Sequence, residues 1–194
     1  MAVALLVVVV GYLVGMLPTA LLVGRRLGRD PRREGSGNPG ASNVYRTMGR
    51  APAAVVLAGD VLKGAAAAGA GWALGGHTVG LLGGAAAVVG HTCPVLRRGG
   101  KGVATCAGML AVLFPWAAAA AVAGWVVVAR LARRPSIASL AVAVGFPAGI
   151  ALAGVPGVEL GLLVAVGALV VLRHRDNIAR LRRGDEHPIQ AARP

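Results

Sequence analysis

VATCAGMLAVLFPWAAAAAVAGWVVVA, Val103–Ala129, decides how this chain folds. It is long enough for one tilted membrane span, since about 20 apolar residues cross a hydrocarbon core. Phe114-Pro115-Trp116 interrupts it, however, and a proline in mid-helix removes a backbone donor and clashes with the preceding turn. Basic residues flank both ends, with Arg97, Arg98 and Lys101 before it and Arg130, Arg133 and Arg134 after it. Lys and Arg collect in cytoplasmic loops. One span would carry the second cluster outside, whereas two short helices broken near Pro115 leave both clusters inside. Two helices are therefore expected.

The remaining apolar runs follow the same parity. Met1–Val23 has no basic segment before its apolar run, so it reads as a retained span and not a secretory signal. Arg25, Arg26, Arg29, Arg32 and Arg33 behind it place the N-terminus outside. Ala51–Leu74 and a short His77–Gly90 form the next two spans, and Ser136–Ala153 and Val158–Leu172 the last two. Ala153-Gly154-Val155-Pro156-Gly157 turns between that final pair. The expectation is an all-α integral membrane protein, one domain over residues 1–194. It has about seven transmembrane helices, the N-terminus outside, the C-terminus cytoplasmic, and its active-site loops on the cytoplasmic face. Every Lys and Arg except Lys63 then lies inside.

Composition agrees with a lipid solvent. The 194 residues are 56% hydrophobic, with a mean hydropathy of +0.71. The formal charge of +13 does not imply nucleic acid, because no aromatic–basic interleaving or DNA-binding motif accompanies it. Cys93 and Cys106 are too few for a disulfide framework and read as free thiols. The many Ala and Gly residues suit close helix packing in lipid and need no further role.

Three polar stretches resist burial. Gly35-Ser36-Gly37-Asn38-Pro39-Gly40-Ala41-Ser42-Asn43-Val44-Tyr45-Arg46 turns the backbone tightly and ends on a guanidinium suited to phosphate, with Ser42 or Asn43 as a helix N-cap. Asp60 and Lys63 follow, three residues apart inside an apolar run. Intramembrane charges cost about 2.5–3.5 kcal/mol each, so the two either pair with each other or serve a polar site. All basic residues except Lys63 and Lys101 are arginine, which suggests that a compact ammonium is needed at those two positions. Lys101 lies in Arg97-Arg98-Gly99-Gly100-Lys101-Gly102-Val103-Ala104-Thr105, at the mouth of a helix. Glycines, a helix N-terminus and a lysine together make a phosphate cradle, although not a Walker A loop. The third stretch is His174-Arg175-Asp176-Asn177 with Arg180 and Gly184-Asp185-Glu186. His174 and Asn177 are one turn apart there and share a face. His77 and His187 look incidental.

In order and spacing, these stretches resemble the bacterial acyl-phosphate:glycerol-3-phosphate acyltransferase family, the PlsY type. Gly35–Arg46 with Gly59–Gly64 is similar to its first motif, Gly90-His91 through Thr105 to its second, and His174–Glu186 to its third. Ser42 stands where threonine is frequent, Asp176 where glutamate is, and Cys93 where phenylalanine is. The stretch between Pro94 and Gly99 is about two residues short.

The resemblance implies transfer of a fatty acyl group from acyl phosphate to the sn-1 hydroxyl of glycerol 3-phosphate, giving lysophosphatidic acid and inorganic phosphate for phospholipid synthesis. It places the protein in the bacterial plasma membrane as a multi-pass enzyme, in contact with the lipid bilayer. His174, Asn177, Lys101, Arg46 and Ser36 are the catalytic candidates. Lys101, the amides of Gly99, Gly100 and Gly102, and Thr105 would hold a phosphate, most simply the donor's. Arg46, Ser36 and Asn43 would hold glycerol 3-phosphate, and His174 and Asn177 would orient its hydroxyls. Asn38, Ser42, His91, Asp60, Lys63 and Glu186 complete the substrate-binding set. The proton acceptor is either His174 or the leaving phosphate. No cofactor and no metal are expected. The competing reading, a small anion or phosphate transporter, would use the same basic loops and the Asp60–Lys63 pair, but the chain shows no internal repeat.

Overall fold

The computed structural model describes residues 1–95 and 98–188. Arg97 of the second motif, and part of the shortened junction before Gly99, lie outside the described residues. Ten helices follow one another with no strand among the described residues: α1 (Ala2–Gly15), α2 (Thr19–Arg26), α3 (Ala41–Met48), α4 (Arg50–Gly75), α5 (His77–Thr92), α6 (Val103–Leu113), α7 (Pro115–Ala132), α8 (Pro135–Ala151), α9 (Gly157–Arg173) and α10 (Arg175–Arg183).

The decisive stretch divides as its proline requires. α6 ends at Leu113, Phe114 leaves the helical conformation at φ −138° and ψ 67°, and Pro115 opens α7 at a first-turn position where its missing N–H costs nothing. Pro18 acts similarly in the first apolar run. The span expected as one helix over Met1–Val23 is two, because the chain breaks at Leu17-Pro18 and continues as α2. Gly40, and neither Ser42 nor Asn43, occupies the N-cap of α3. Among the described residues, three helical stretches are long and apolar enough to cross a membrane: Ala2–Arg26, Arg50–Gly75 and Pro115–Ala132. A fourth is reached if α9 and α10, bent by 52°, count as one.

α4 is the axis of the bundle. It packs on α1, α5 and α6, while α7 packs on α8 and α8 on α9, and α5 reaches α9. A Cβ added at Gly108 of α6 would lie 1.9 Å from the Val61 carbonyl oxygen of α4, and one at Gly90 of α5 would lie 2.1 Å from that of Tyr12 in α1. The backbones touch at these crossings. Lipid supplies no hydrophobic drive between helices, so close contact through small residues takes its place.

One polar cluster fastens the end of α5 remote from the loops. His77 donates through Nε2 to the Leu113 carbonyl (3.1 Å), and its Nδ1 meets Glu159 at 3.0 Å. Thr78 donates to the same carboxylate at 2.7 Å, and the Phe114 ring meets the imidazole edge-on. His77 is therefore a structural joint between α5, α6 and α9, contrary to its incidental reading from sequence.

Candidate active site

All three motifs converge on one cavity of about 580 Å³. Ser36, Arg46, Lys101, His174, Asn177 and Glu186 line its polar end. Leu57, Leu110, Ala118, Trp125 and Phe146 lie along its apolar walls. Asn38, Ser42, Asn43, Asp60, His91 and Gly102 also face it. A cavity that is charged at one end and apolar at the other suits an amphiphile.

The first loop is held by Asn43, which is buried. Its Nδ2 donates to the Pro31 and Glu34 carbonyls at 2.9 and 3.0 Å. Its Oδ1 accepts from the Ser36 N–H and hydroxyl at 2.9 and 3.1 Å. Both amide hydrogens and both carbonyl lone pairs are thus engaged, so Asn43 fastens the loop and has no capacity left for the glycerol-phosphate contact expected of it. Arg46 behaves differently. One nitrogen reaches the Ser36 hydroxyl at 3.4 Å, while its buried Nε has no partner among the described residues. Burial lowers its pKa, Glu186 pulls it up, and Arg180 lowers it further.

The second loop differs from the expected cradle. Arg173 donates to the Gly99 and Gly100 carbonyls at 3.1 and 3.3 Å, and the Gly100 N–H donates to the His91 carbonyl at 3.0 Å. Gly99 and Gly100 accordingly line a small crevice beside Lys63 and not the main cavity. Thr105 does not reach the cavity either. It is wholly buried where α6 meets α4, and a Cβ on Gly64 would lie 2.0 Å from its carbonyl oxygen. Lys101 and the start of α6, Gly102 to Ala104, remain on the cavity. The left-handed conformation of Gly102, at φ 87°, turns the chain into that helix. A helix N-terminus and an ammonium together favour an anion. Burial lowers the Lys101 pKa to about 8; Glu186 and Asp176 pull it up, and Arg180 and Arg46 push it down.

The third motif supplies the groups for a hydroxyl. His174 is buried, and its Nδ1 lies 2.7 Å from the Val170 carbonyl. A carbonyl only accepts, so Nδ1 carries the hydrogen and the Nε2 lone pair is left for a ligand. Burial, chiefly, holds its pKa down near 4; the Val170 carbonyl and Glu186 raise it, and Lys101 lowers it. The imidazole is neutral at pH 7. Asn177 donates to Glu186 at 2.7 Å, and its buried Oδ1 has no partner among the described residues.

Glu186 organises this motif from behind. Its carboxylate also accepts from Ser136 at 2.9 Å and from Arg180 at 2.8 Å. Burial raises its pKa, but the Asn177, Ser136 and Arg180 hydrogen bonds outweigh it, and the net shift is downward. With its oxygens so engaged, Glu186 orients Asn177, Ser136 and Arg180 at the edge of the cavity. Ser136, Arg173 and Arg180 were not singled out as site residues. A serine after a helix-opening proline reads locally as an ordinary start, and the two arginines as juxtamembrane charge.

Asp60 and Lys63 pair with each other at 2.8 Å. Thr19 donates to Asp60 at 2.5 Å, and Lys63 Nζ reaches the Leu17 carbonyl at 3.2 Å and His91 Nδ1 at 2.6 Å. The network ties α4 to the α1–α2 break and to the end of α5. Asp60 lines the main cavity, whereas Lys63 lines the crevice beside Gly99 and Gly100.

Comparison with known proteins bears directly on this geometry. A family model described as glycerol-3-phosphate acyltransferase matches residues 5–184. The glycerol-3-phosphate acyltransferase of Rubrobacter xylanophilus is 44% identical over 190 residues, covering 93% of this chain and 92% of that protein. The Bordetella pertussis protein of the same name is 42% identical over 196 residues, covering 94% and 90%. The crystal structure of PlsY (YgiH), an integral membrane glycerol 3-phosphate acyltransferase, superposes in its glycerol 3-phosphate form with a TM-score of 0.92. It does so at 34% identity over 96% of both chains. Its lysophosphatidic acid form gives 0.89.

Proposed function

Given that the chain belongs to the glycerol-3-phosphate acyltransferase family and is a membrane acyltransferase, we propose that its acyl donor is acyl phosphate and that the converging motifs form the catalytic site. The reaction transfers the acyl group to the sn-1 hydroxyl of glycerol 3-phosphate, releasing inorganic phosphate and lysophosphatidic acid. The observation that carries this reading is the single cavity in which Arg46, Lys101, His174 and Asn177 meet beside apolar walls. Both substrates are phosphates and one bears an acyl tail, so cations at one end and hydrocarbon at the other match the pair.

In this reading Arg46, with Ser36, holds the glycerol 3-phosphate. Lys101 and the first N–H groups of α6 hold the donor phosphate, whose charge grows as the C–O bond to the acyl carbon breaks. Asn38, Ser42 and His91 border the substrates. His174 Nε2, opposite the nitrogen held by Val170, and Asn177 Oδ1, without a partner among the described residues, accept hydrogen bonds from the glycerol hydroxyls and fix the attacking oxygen. An acyl phosphate is a mixed anhydride with a good leaving group, so no covalent acyl-enzyme is needed. Cationic side chains meet the phosphates, and the reaction runs without metal.

The placement rests on charge parity. Seven spans, one domain over the whole chain, an outside N-terminus and a cytoplasmic C-terminus put the polar end of the cavity at the cytoplasmic face of a bacterial plasma membrane. The break at Pro115 supports that count. Transport finds no support in the relatives.

Purified protein with labelled glycerol 3-phosphate and EDTA, offered palmitoyl phosphate, palmitoyl-CoA or palmitoyl-carrier protein in parallel, tests the reading. Lysophosphatidic acid from the acyl phosphate alone is expected. Product mainly from either of the other donors would refute the donor assignment.

A further inference from the structure

The cavity walls follow helix faces. Ala118, Ala121, Val122 and Trp125 recur at three- and four-residue steps along α7, and Ser139, Val142 and Phe146 do so along α8. Ser136 marks the polar layer, since its hydroxyl meets Glu186. Phe146 lies ten residues further along α8, roughly 15 Å deeper at the rise of an α-helix. Leu110, Ala118 and Phe146 line the cavity and also belong to the buried core cluster with Leu113, Phe114 and Ile150. The cavity therefore ends on close-packed core, which yields little to an intruding group.

Resting on the acyl-phosphate reading above, we propose that Ala118, flanked by Leu110 and Phe146, sets the longest acyl chain the enzyme accepts. Ala118 is the small member of this floor. Its methyl leaves the last stretch of cavity open where a larger side chain would fill it. The competing path for the tail is sideways. Leu57 on α4 and Val122 on α7 both line the cavity and are 48% and 54% exposed, so the wall opens to the surroundings between these helices. A tail leaving there would be indifferent to Ala118.

The test compares kcat/KM for palmitoyl phosphate with that for octanoyl phosphate, using labelled glycerol 3-phosphate and the full-length protein. Wild type is set beside Ala118→Leu, Phe146→Ala and Val122→Trp. One methylene in an apolar pocket is worth about tenfold or more, so Ala118→Leu should lower the palmitoyl-to-octanoyl ratio at least about tenfold. Phe146→Ala should raise it. Binding of labelled glycerol 3-phosphate reports that each variant is folded, and if Ala118→Leu fails that check the direction given by Phe146→Ala decides. An unchanged ratio in these variants, or a ratio lowered by Val122→Trp alone, would overturn the proposal and send the tail through the side opening. Wild type turning over no acyl phosphate at all would instead refute the donor reading, and this proposal with it.

Discussion

The alkaline limb of the pH profile isolates Lys101. With a pKa of about 8 in the free protein, half of its ammonium is lost at pH 8 and about nine-tenths at pH 9. If the charged form binds the donor phosphate, kcat/KM falls about tenfold per pH unit above pH 8, because kcat/KM reports the free enzyme. Burial depresses the Lys101 pKa in the fold, so the unfolded chain binds more protons between pH 8 and 10.5. This group therefore makes the fold more stable with rising pH across that window while activity falls. A thermal melt in parallel separates the two effects. Lys101→Arg keeps its charge across the whole range, and whatever activity it retains should show no limb between pH 8 and 10. The assay is initial-rate formation of labelled lysophosphatidic acid, corrected for spontaneous donor hydrolysis. A wild-type profile flat to pH 10, or the same limb in Lys101→Arg, would refute the reasoning.

Other sites answer to simpler changes. Asn177→Ala removes a buried Oδ1 that has no partner among the described residues and should lower kcat/KM by about 10²-fold with folding intact, read by rate and melting temperature together. Glu186→Gln weakens the hold on Asn177 and Arg180 and should raise KM for glycerol 3-phosphate about tenfold; a variant with wild-type KM would contradict the positioning role. Gly108→Val forces a Cβ against the Val61 carbonyl and should destabilise the protein by about 1–3 kcal/mol, seen as a lower unfolding temperature in detergent. Lys63→Met strands the buried Asp60 and should cost about 3–5 kcal/mol, while Asp60→Asn with Lys63→Met costs clearly less than the two single changes added. Additive effects would mean that the pair does not interact.

Proline and glycine made much of the fold legible, because their effects are local. Pro115 divides α6 from α7, where His77 meets the Leu113 carbonyl at the break, and Gly76 and the Gly154–Gly157 turn bound their helices. The same rule misjudged Pro18, where an apolar run of full span length outweighed one residue. The site was legible by motif but not by contact. Arg46, Lys101, His174 and Asn177 do converge, yet nothing near Gly99 signals that Arg173, 74 residues away, takes its carbonyl. Thr105 failed through helix phase: one residue off the cavity-facing stripe, it enters the α4–α6 crossing. His77 and Glu159 are 82 residues apart, and no local pattern joins them.

The electrostatics of the cavity bear on where the proton goes. Arg46, Lys101 and Arg180 crowd one polar end, with Glu186 compensating each of them and Asp176 also acting on Lys101. That repulsion lowers the affinity of the free site for its own protons, and an incoming phosphate relieves it, so donor binding and Lys101 protonation reinforce each other. Burial above all, and Lys101 beside it, disfavour a positive charge on His174, whose pKa of about 4 leaves it a weak base. Even a phosphate dianion takes up a proton near pH 6, and the oxygen released from the acyl carbon is more basic still, so of the two acceptors within the site the departing phosphate is the stronger. We infer that His174 Nε2 orients the attacking hydroxyl and that the phosphate carries the proton away. His174→Gln, whose Oε1 keeps an acceptor at about the reach of Nε2, should then retain far more activity than His174→Ala. Equal losses in the two variants would return the proton to the imidazole.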